Sequence, residues 1–227
     1  MKVIISEEQL RQIIESEKKG NLLNFTNISK TIPATEWDKK FLEINENKGF
    51  IYDGYYLNGD VKLNRSNIKE LKYLVKVLGD LDLKLSEIES LGKLTHVTGR
   101  LLLRKSKIKS LGNLRRVEWG CDLRLTPITD LGVLEYVGSN LELDGSQVES
   151  LGNLKRVEGS LLLVKCPIDN LGELEYVGTA LDLRGTAVED LGKLKEVYYL
   201  DIRNTPLSNM TTEEEIKNNI NVDEIIM

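Results

Sequence analysis

Apolar residues recur along this chain at a fixed interval of 20 residues. Leu-Gly stands at Leu91-Gly92, Leu111-Gly112, Leu131-Gly132, Leu151-Gly152, Leu171-Gly172 and Leu191-Gly192. A valine column keeps the same register at Val77, Val97, Val117, Val137, Val157, Val177 and Val197. Another runs Leu83, Leu103, Leu123, Leu143, Leu163 and Leu183, and Ile202 continues it after a one-residue deletion. A third runs Ile68, Ile88, Ile108, Ile128, Val148, Ile168, Val188 and Leu207. Self-similarity at this period marks a stack of units, none of which can bury its apolar edge alone. Within each unit an apolar-x-apolar core, as in Leu181-Asp182-Leu183, alternates at period two and predicts a short strand with one face inside. Counting Val61-Lys62-Leu63 as the first strand gives eight coils between about residues 57 and 210. Their parallel strands stack about 4.8 Å apart, the rest of each coil returns along the outside, and the rod is about 35–40 Å long. Each Leu-Gly turns a side chain inward and then offers a backbone position without a Cβ, which suits a tight bend.

The two ends lack the repeat. Ser6-Glu7-Glu8-Gln9 reads as a capping-box start for a helix running to about Lys19, with Gly20 as its stop. Thr35-Glu36-Trp37-Asp38 predicts a second short helix to about Asn45, and Phe50-Ile51-Tyr52 and Tyr55-Tyr56-Leu57 lead into the first coil. Residues 1–56 therefore form an N-terminal capping region, 57–210 the repeat stack and 211–227 a C-terminal helical cap. Capping the open end is the simpler role for the first region; a separate binding role is the other. At the far end Thr212-Glu213-Glu214-Glu215 is a second capping box, whose helix carries Ile216 and Ile220 to close the last coil.

The unit Leu-x-Leu-x-x-(Ser/Thr/Cys)-x-(Ile/Val)-x-x-Leu-Gly-x-Leu-x-x-Val resembles a short leucine-rich repeat, close in style to the repeats of receptor L domains. The resemblance covers about two thirds of the chain. It implies an α/β solenoid with one parallel β-sheet, and a protein partner held on the strand face. This chain departs from the family at the position that usually carries asparagine, filled here by Ser66, Ser86, Ser106, Thr126, Ser146, Cys166, Thr186 and Thr205. A hydroxyl there can bond the neighbouring turn's backbone, less fully than an asparagine ladder would. The opening MKVIISEEQLRQII is loosely similar to the start of proteins from large tailed bacteriophages.

In such a repeat the residues between and just after the strand leucines face outward. The first such column reads Lys62, Asp82, Leu102, Asp122, Glu142, Leu162, Asp182, Asp201, and the second Asn64, Lys84, Arg104, Arg124, Asp144, Val164, Arg184, Arg203. One reading is a set of mutual ion pairs on a solvated sheet, each contributing about 0–1 kcal/mol. The other is a recognition face, because Leu102, Leu162 and Val164 set apolar groups among arginines. The expected partner-binding residues are Asp82, Leu102, Arg104, Asp122, Arg124, Glu142, Asp144, Leu162, Val164, Asp182, Arg184, Asp201 and Arg203. Elsewhere Arg115, Glu135, Lys155, Glu175 and Lys195 alternate in sign, and Arg116, Tyr136, Arg156 and Tyr176 alternate beside them. This 40-residue superperiod brings opposite charges together and puts arginine near tyrosine, a register device more than a binding site.

Composition narrows the chemistry. With 31 basic and 36 acidic residues among 227 the net charge is −5, which argues against a dedicated nucleic-acid binder. A single histidine, His96, removes most metal sites and most histidine-dependent catalysis. No P-loop, GxSxG, HExxH or glycine-rich fingerprint after a strand is present. Carboxylates such as Asp122 and Glu142 each lie beside an arginine that should keep them ionised, the wrong poise for a general acid. Cys121 falls in the inner-strand column and Cys166 in the hydroxyl column, so both read as buried structural thiols too far apart for a disulfide. No apolar run approaches the roughly 18 residues of a membrane span, and no secretory signal opens the chain. The expectation is a cytoplasmic, non-enzymatic scaffold without cofactor or metal, binding neither nucleic acid nor membrane, or a virion or host-cytoplasmic protein if the chain is viral. Its partner is expected to be a protein on the strand face. The alternative is a structural or assembly component, such as one of a phage particle, that makes its contacts through the terminal regions. Carbohydrate binding would require more aromatic residues on the strand face.

Overall fold

The structure, a computed structural model, describes residues 22–30, 32–48 and 53–227. The helix expected from Ser6 to Lys19, the Gly20 stop and Phe50-Ile51-Tyr52 lie outside the described residues. The chain forms a parallel β-solenoid of about seven turns with few helices. The described helices lie at the two ends of the stack: Thr26–Ser29, a 3-10 turn at Ala34–Glu36 and Trp37–Lys48 before it, Leu207–Met210 in its last coil and Glu213–Asn219 after it. The expected α/β character therefore belongs to the ends, and the stack itself is β.

Each turn contributes two strand segments where the sequence suggested one. Leu81–Asp82, Leu101–Leu102, Cys121–Asp122, Leu141–Glu142 and Leu161–Leu162 form the expected ladder in strict 20-residue register. The valine column builds another ladder from Leu74–Leu78, His96–Val97, Arg116–Val117, Tyr136–Val137 and Arg156–Val157, which comes first in each turn, so that it is the first ladder and the expected one the second. These segments are mostly two residues long, too short for alternation to declare them. Near the C-terminus Tyr176–Asp182, Glu196–Asp201 and Asn221–Ile226 run through the corner between the ladders. They join both ladders into one 16-stranded sheet.

The core is the stacked columns themselves. In one turn Leu91, Leu94, Val97, Leu101, Leu103 and Ile108 are each at most 1% exposed, and the inner turns repeat the set, while Leu63 and Leu191 near the ends are only partly buried. Truncating one such leucine to alanine costs about 2–5 kcal/mol. The Leu-Gly corner uses its glycine for more than a bend. Gly92 to Gly192 all sit at φ of +55 to +61°, and a side chain two residues earlier caps each glycine N–H. Ser90, Ser110 and Ser150 accept it at 3.0–3.1 Å, Asn170 at 3.1 Å, Asp190 at 2.8 Å, and Asp130 likewise. This is a serine- or Asx-turn repeated along the stack.

The hydroxyl column behaves differently from the expectation. Ser86, Thr126, Thr186 and Thr205 donate to the carbonyl three residues earlier in their own turn, at 2.6–2.7 Å, and do not tie neighbouring turns together. Cys166 does join turns: its Sγ lies 3.2 Å from the Leu143 carbonyl and 3.7 Å from the Ser146 hydroxyl of the preceding turn.

At the N-terminal end Trp37, Phe41 and Ile44 of Trp37–Lys48 are buried with Leu23, Phe25 and Tyr55. The Phe25 and Tyr55 rings lie 4.7 Å apart, and Asp38 accepts hydrogen bonds from the Tyr55 hydroxyl at 2.9 Å and the Lys72 amide at 2.8 Å. The helix runs three residues past the expected Asn45. At the other end Thr212 and Glu215 form a reciprocal capping box, and Ile216 and Ile220 are buried. The chain then adds Asn221–Ile226 as a parallel edge strand, so residues 211–227 are helix and strand rather than helix alone.

Candidate recognition face

The second-ladder face collects the residues singled out for binding, and most of its acids are turned into the fold. Asp122, Asp182 and Asp201 are only 8%, 9% and 3% exposed. Each accepts the backbone N–H two residues on, from Arg124, Arg184 and Arg203 at 3.2 Å, and Asp82 accepts that of Lys84 at 3.1 Å. The repeated Asp-apolar-Arg/Lys triplet is thus an Asx-turn that closes the corner after the strand. The basic side chain folds back over the same carboxylate: Arg124 lies 2.9 Å from Asp122, Arg203 2.7 Å from Asp201, Arg184 2.5 Å from Asp182 and Lys84 3.3 Å from Asp82.

Two arginines also join turns. Arg124 reaches Glu142 at 2.7 Å and Arg184 reaches Asp201 at 3.4 Å. Burial works against the charge on Asp201, but the hydrogen bond from Arg203, with the Arg203 and Arg184 guanidiniums, holds its carboxyl below the usual range. Asp144 is poised the other way. Burial raises it despite the hydrogen bond from the Val164 amide at 2.9 Å, which links one turn to the next. Leu102, Leu162 and Val164 are half-buried, less open than the sequence suggested, because neighbouring strands shield side chains on a stacked sheet. Arg104 is exposed and forms no ion pair among the described residues. The face therefore divides: Asp82, Asp122, Asp182, Asp201 and their cations brace the turns, while Leu102, Arg104, Leu162 and Val164 are uncommitted.

The first ladder carries the superperiod. The Arg116 guanidinium lies 3.7 Å from the Tyr136 ring centroid and that of Arg156 3.6 Å from Tyr176. Arg115 meets Glu135 at 2.6 Å, and Lys195 pairs with Glu175. His96 Nε2 lies 3.0 Å from Glu118, which also accepts from Arg116 at 2.6 Å. The approach of neighbouring backbones also differs from turn to turn, which no charge pattern announced. A Cβ on Gly138 or Gly178 would fall 2.0 or 2.1 Å from the carbonyl oxygen of Glu118 or Glu158 in the preceding turn. At the Leu-Gly corner Gly112 and Gly152 are crowded by the backbone of the preceding turn, Gly92 is tight at 3.2 Å, and Gly132, Gly172 and Gly192 are open. The turns thus approach more closely at some corners than at others.

Cys121 and Cys166 are both free and buried, and burial raises both thiols above their usual range. Among the described residues no helix is long and apolar enough to cross a membrane. Comparison of the chain with protein-family models, curated proteins and solved structures finds no match in any of the three.

Proposed function

We propose that this chain is a non-catalytic recognition scaffold: a leucine-rich-repeat stack of about eight coils, closed at both ends, that binds a protein partner through its second-ladder face. The observation that carries this reading is the uncommitted set on that face, exposed Arg104 with half-buried Leu102, Leu162 and Val164, on a surface where most other charges are internally paired. Arginine beside partly exposed aliphatic groups is the composition of interface hot spots. The stack presents these groups at fixed spacing, so little conformational entropy is lost on binding. The role needs no cofactor, metal, nucleic acid or membrane, and a cytoplasmic setting suits the two free thiols. The test is affinity capture with mass-spectrometric identification, wild type beside a Leu102→Glu/Leu162→Glu/Val164→Lys variant confirmed as folded by circular dichroism. A partner kept by both proteins refutes strand-face recognition.

One observation favours a structural or assembly role instead. Asn221–Ile226 pairs on one side only among the described residues, which leaves a strand edge at the end of the stack. Self-association in sedimentation velocity that disappears on substituting Val222 by proline would support that reading.

A further inference from the structure

The corner that follows the second ladder holds one residue per turn at positive φ: Arg65, Leu85, Lys105, Leu125 and Lys165 at 57°, Asn204 at 60°, with Gly145 and Gly185 in the same column. Backbone hydrogen bonds from Leu85 to Arg104, Lys105 to Arg124 and Leu125 to Asp144 keep the column in register. Left-handed backbone costs a side-chain-bearing residue about 1–2 kcal/mol, which Gly145 and Gly185 avoid. Leu85 and Leu125 accept that cost while remaining 46% and 48% exposed, so neither core burial nor backbone preference accounts for leucine there. Arg65, Arg104, Lys105 and Lys107 surround them, all exposed and none in an ion pair among the described residues. The neighbouring charges are mostly committed: Lys84 with Asp82 at 3.3 Å, Arg124 with Asp122 at 2.9 Å, and Lys109 with Glu89 at 2.8 Å, while Glu87 is exposed beside the ridge. The result is a basic ridge with two apolar studs on a protein whose net charge is −5.

We propose that this ridge is a docking site for an acidic amphipathic helix of a protein partner, lying along the stack and contacting Leu85 and Leu125. Two turns of the solenoid span about 10 Å. Apolar residues at i and i+7 of a helix are about 10.5 Å apart on one face. Carboxylates at i+3 and i+4 then fall over Lys105, with Arg104 and Lys107 alongside. Complementary charge selects an acidic segment. A nucleic acid would use aromatic stacking platforms that the ridge lacks, and a membrane would require a broader apolar face than two separated leucines. This surface borders the strand face and shares Arg104 with it, but its two leucines and Lys105 belong to the corner alone.

The test uses a fluorescein-labelled 18-residue helical peptide with leucine at i and i+7 and glutamate at i+3 and i+4, read by fluorescence anisotropy on the full chain. A control peptide carries lysine in place of glutamate. Leu85→Gly/Leu125→Gly is the informative variant, because glycine already serves this backbone position at 145 and 185; its melting temperature should equal or exceed that of wild type. The acidic peptide should bind wild type, weaken with salt, and lose at least about tenfold in affinity to the glycine variant and to Lys105→Glu. Three results would overturn the proposal: no saturable binding, equal binding of the lysine peptide, or affinity unchanged in the glycine variant. Preferential binding of wild type to phosphatidylserine vesicles without peptide binding would assign the ridge to a membrane and overturn it too. Peptide binding lost only in the Leu102→Glu/Leu162→Glu/Val164→Lys variant would uphold strand-face recognition and refute the ridge.

Discussion

Replacing Gly152 by alanine should cost far more than the same change at Gly132, although both occupy the same place in the repeat. Their φ values are +55° and +61°, so the left-handed backbone penalises alanine almost equally, by about 1–2 kcal/mol. The surroundings differ. A Cβ at 152 would lie 2.2 Å from the Gly132 carbonyl oxygen, whereas at 132 its nearest neighbour would be the Asp130 carboxylate 3.9 Å away. Relief at 152 requires the two turns to part by about an ångström, since ordinary carbon–oxygen contacts exceed 3 Å. That movement breaks the hydrogen bond from the Asn153 amide to the same Gly132 oxygen, 2.9 Å long, which contributes about 0.5–1.5 kcal/mol. With lost packing between the parted turns, Gly152→Ala should cost about 3–4 kcal/mol and Gly132→Ala about 1–2 kcal/mol. Urea unfolding followed by far-ultraviolet circular dichroism separates these, provided the slope m is unchanged between variants. Gly112→Ala, with a contact of 2.4 Å to the Gly92 oxygen, should follow Gly152→Ala. Equal destabilisation at 132 and 152 would refute the difference between the close corner and the open one.

Other consequences follow from the ion pairs and thiols. Because Asp201 is held below its ordinary range, folding favours its charged form; that contribution is present above the unfolded value near 3.8 and fades as pH falls through the folded one. Asp144, held above its ordinary range, has the opposite sign: its contribution is present below the unfolded value and lost as pH rises through the folded one. At pH 7 Asp144→Asn, which keeps the acceptor for the Val164 amide, should therefore raise the urea midpoint while Asp201→Asn lowers it; a shift of the same sign in both would contradict the arrangement. Cys121 and Cys166 should react with a disulfide reagent only after unfolding, at the global unfolding rate, and rapid modification of the native protein would show that the inner columns are open. A double-mutant cycle on Arg116 and Tyr136 should give a coupling of about 0.5–1 kcal/mol that survives moderate salt, and zero coupling would remove the stacked pair as a register device.

The sequence by itself determined the repeat, the register and the inward columns, because one-sided burial in a stack forces the same residue type to the same place in every turn. It was also enough to place Cys121 and Cys166 inside and to pair arginine with tyrosine along the first ladder. Some signals were present but silent: the Ser/Asp/Asn column before each Leu-Gly caps a glycine N–H, and Gly145, Gly185 and Asn204 mark a left-handed corner whose other occupants, Arg65, Leu85, Lys105, Leu125 and Lys165, do not look like turn residues. Only the tertiary structure decided that the valine column is a strand, since two residues gain strand geometry from pairing with the turns above and below and not from their own pattern. The commitment of each face acid was likewise decided there, by whether its carboxylate turned inward to a backbone N–H two residues on. Charge along a chain can be counted from sequence; whether a charge is already spent on its own turn depends on angles and distances that folding alone sets.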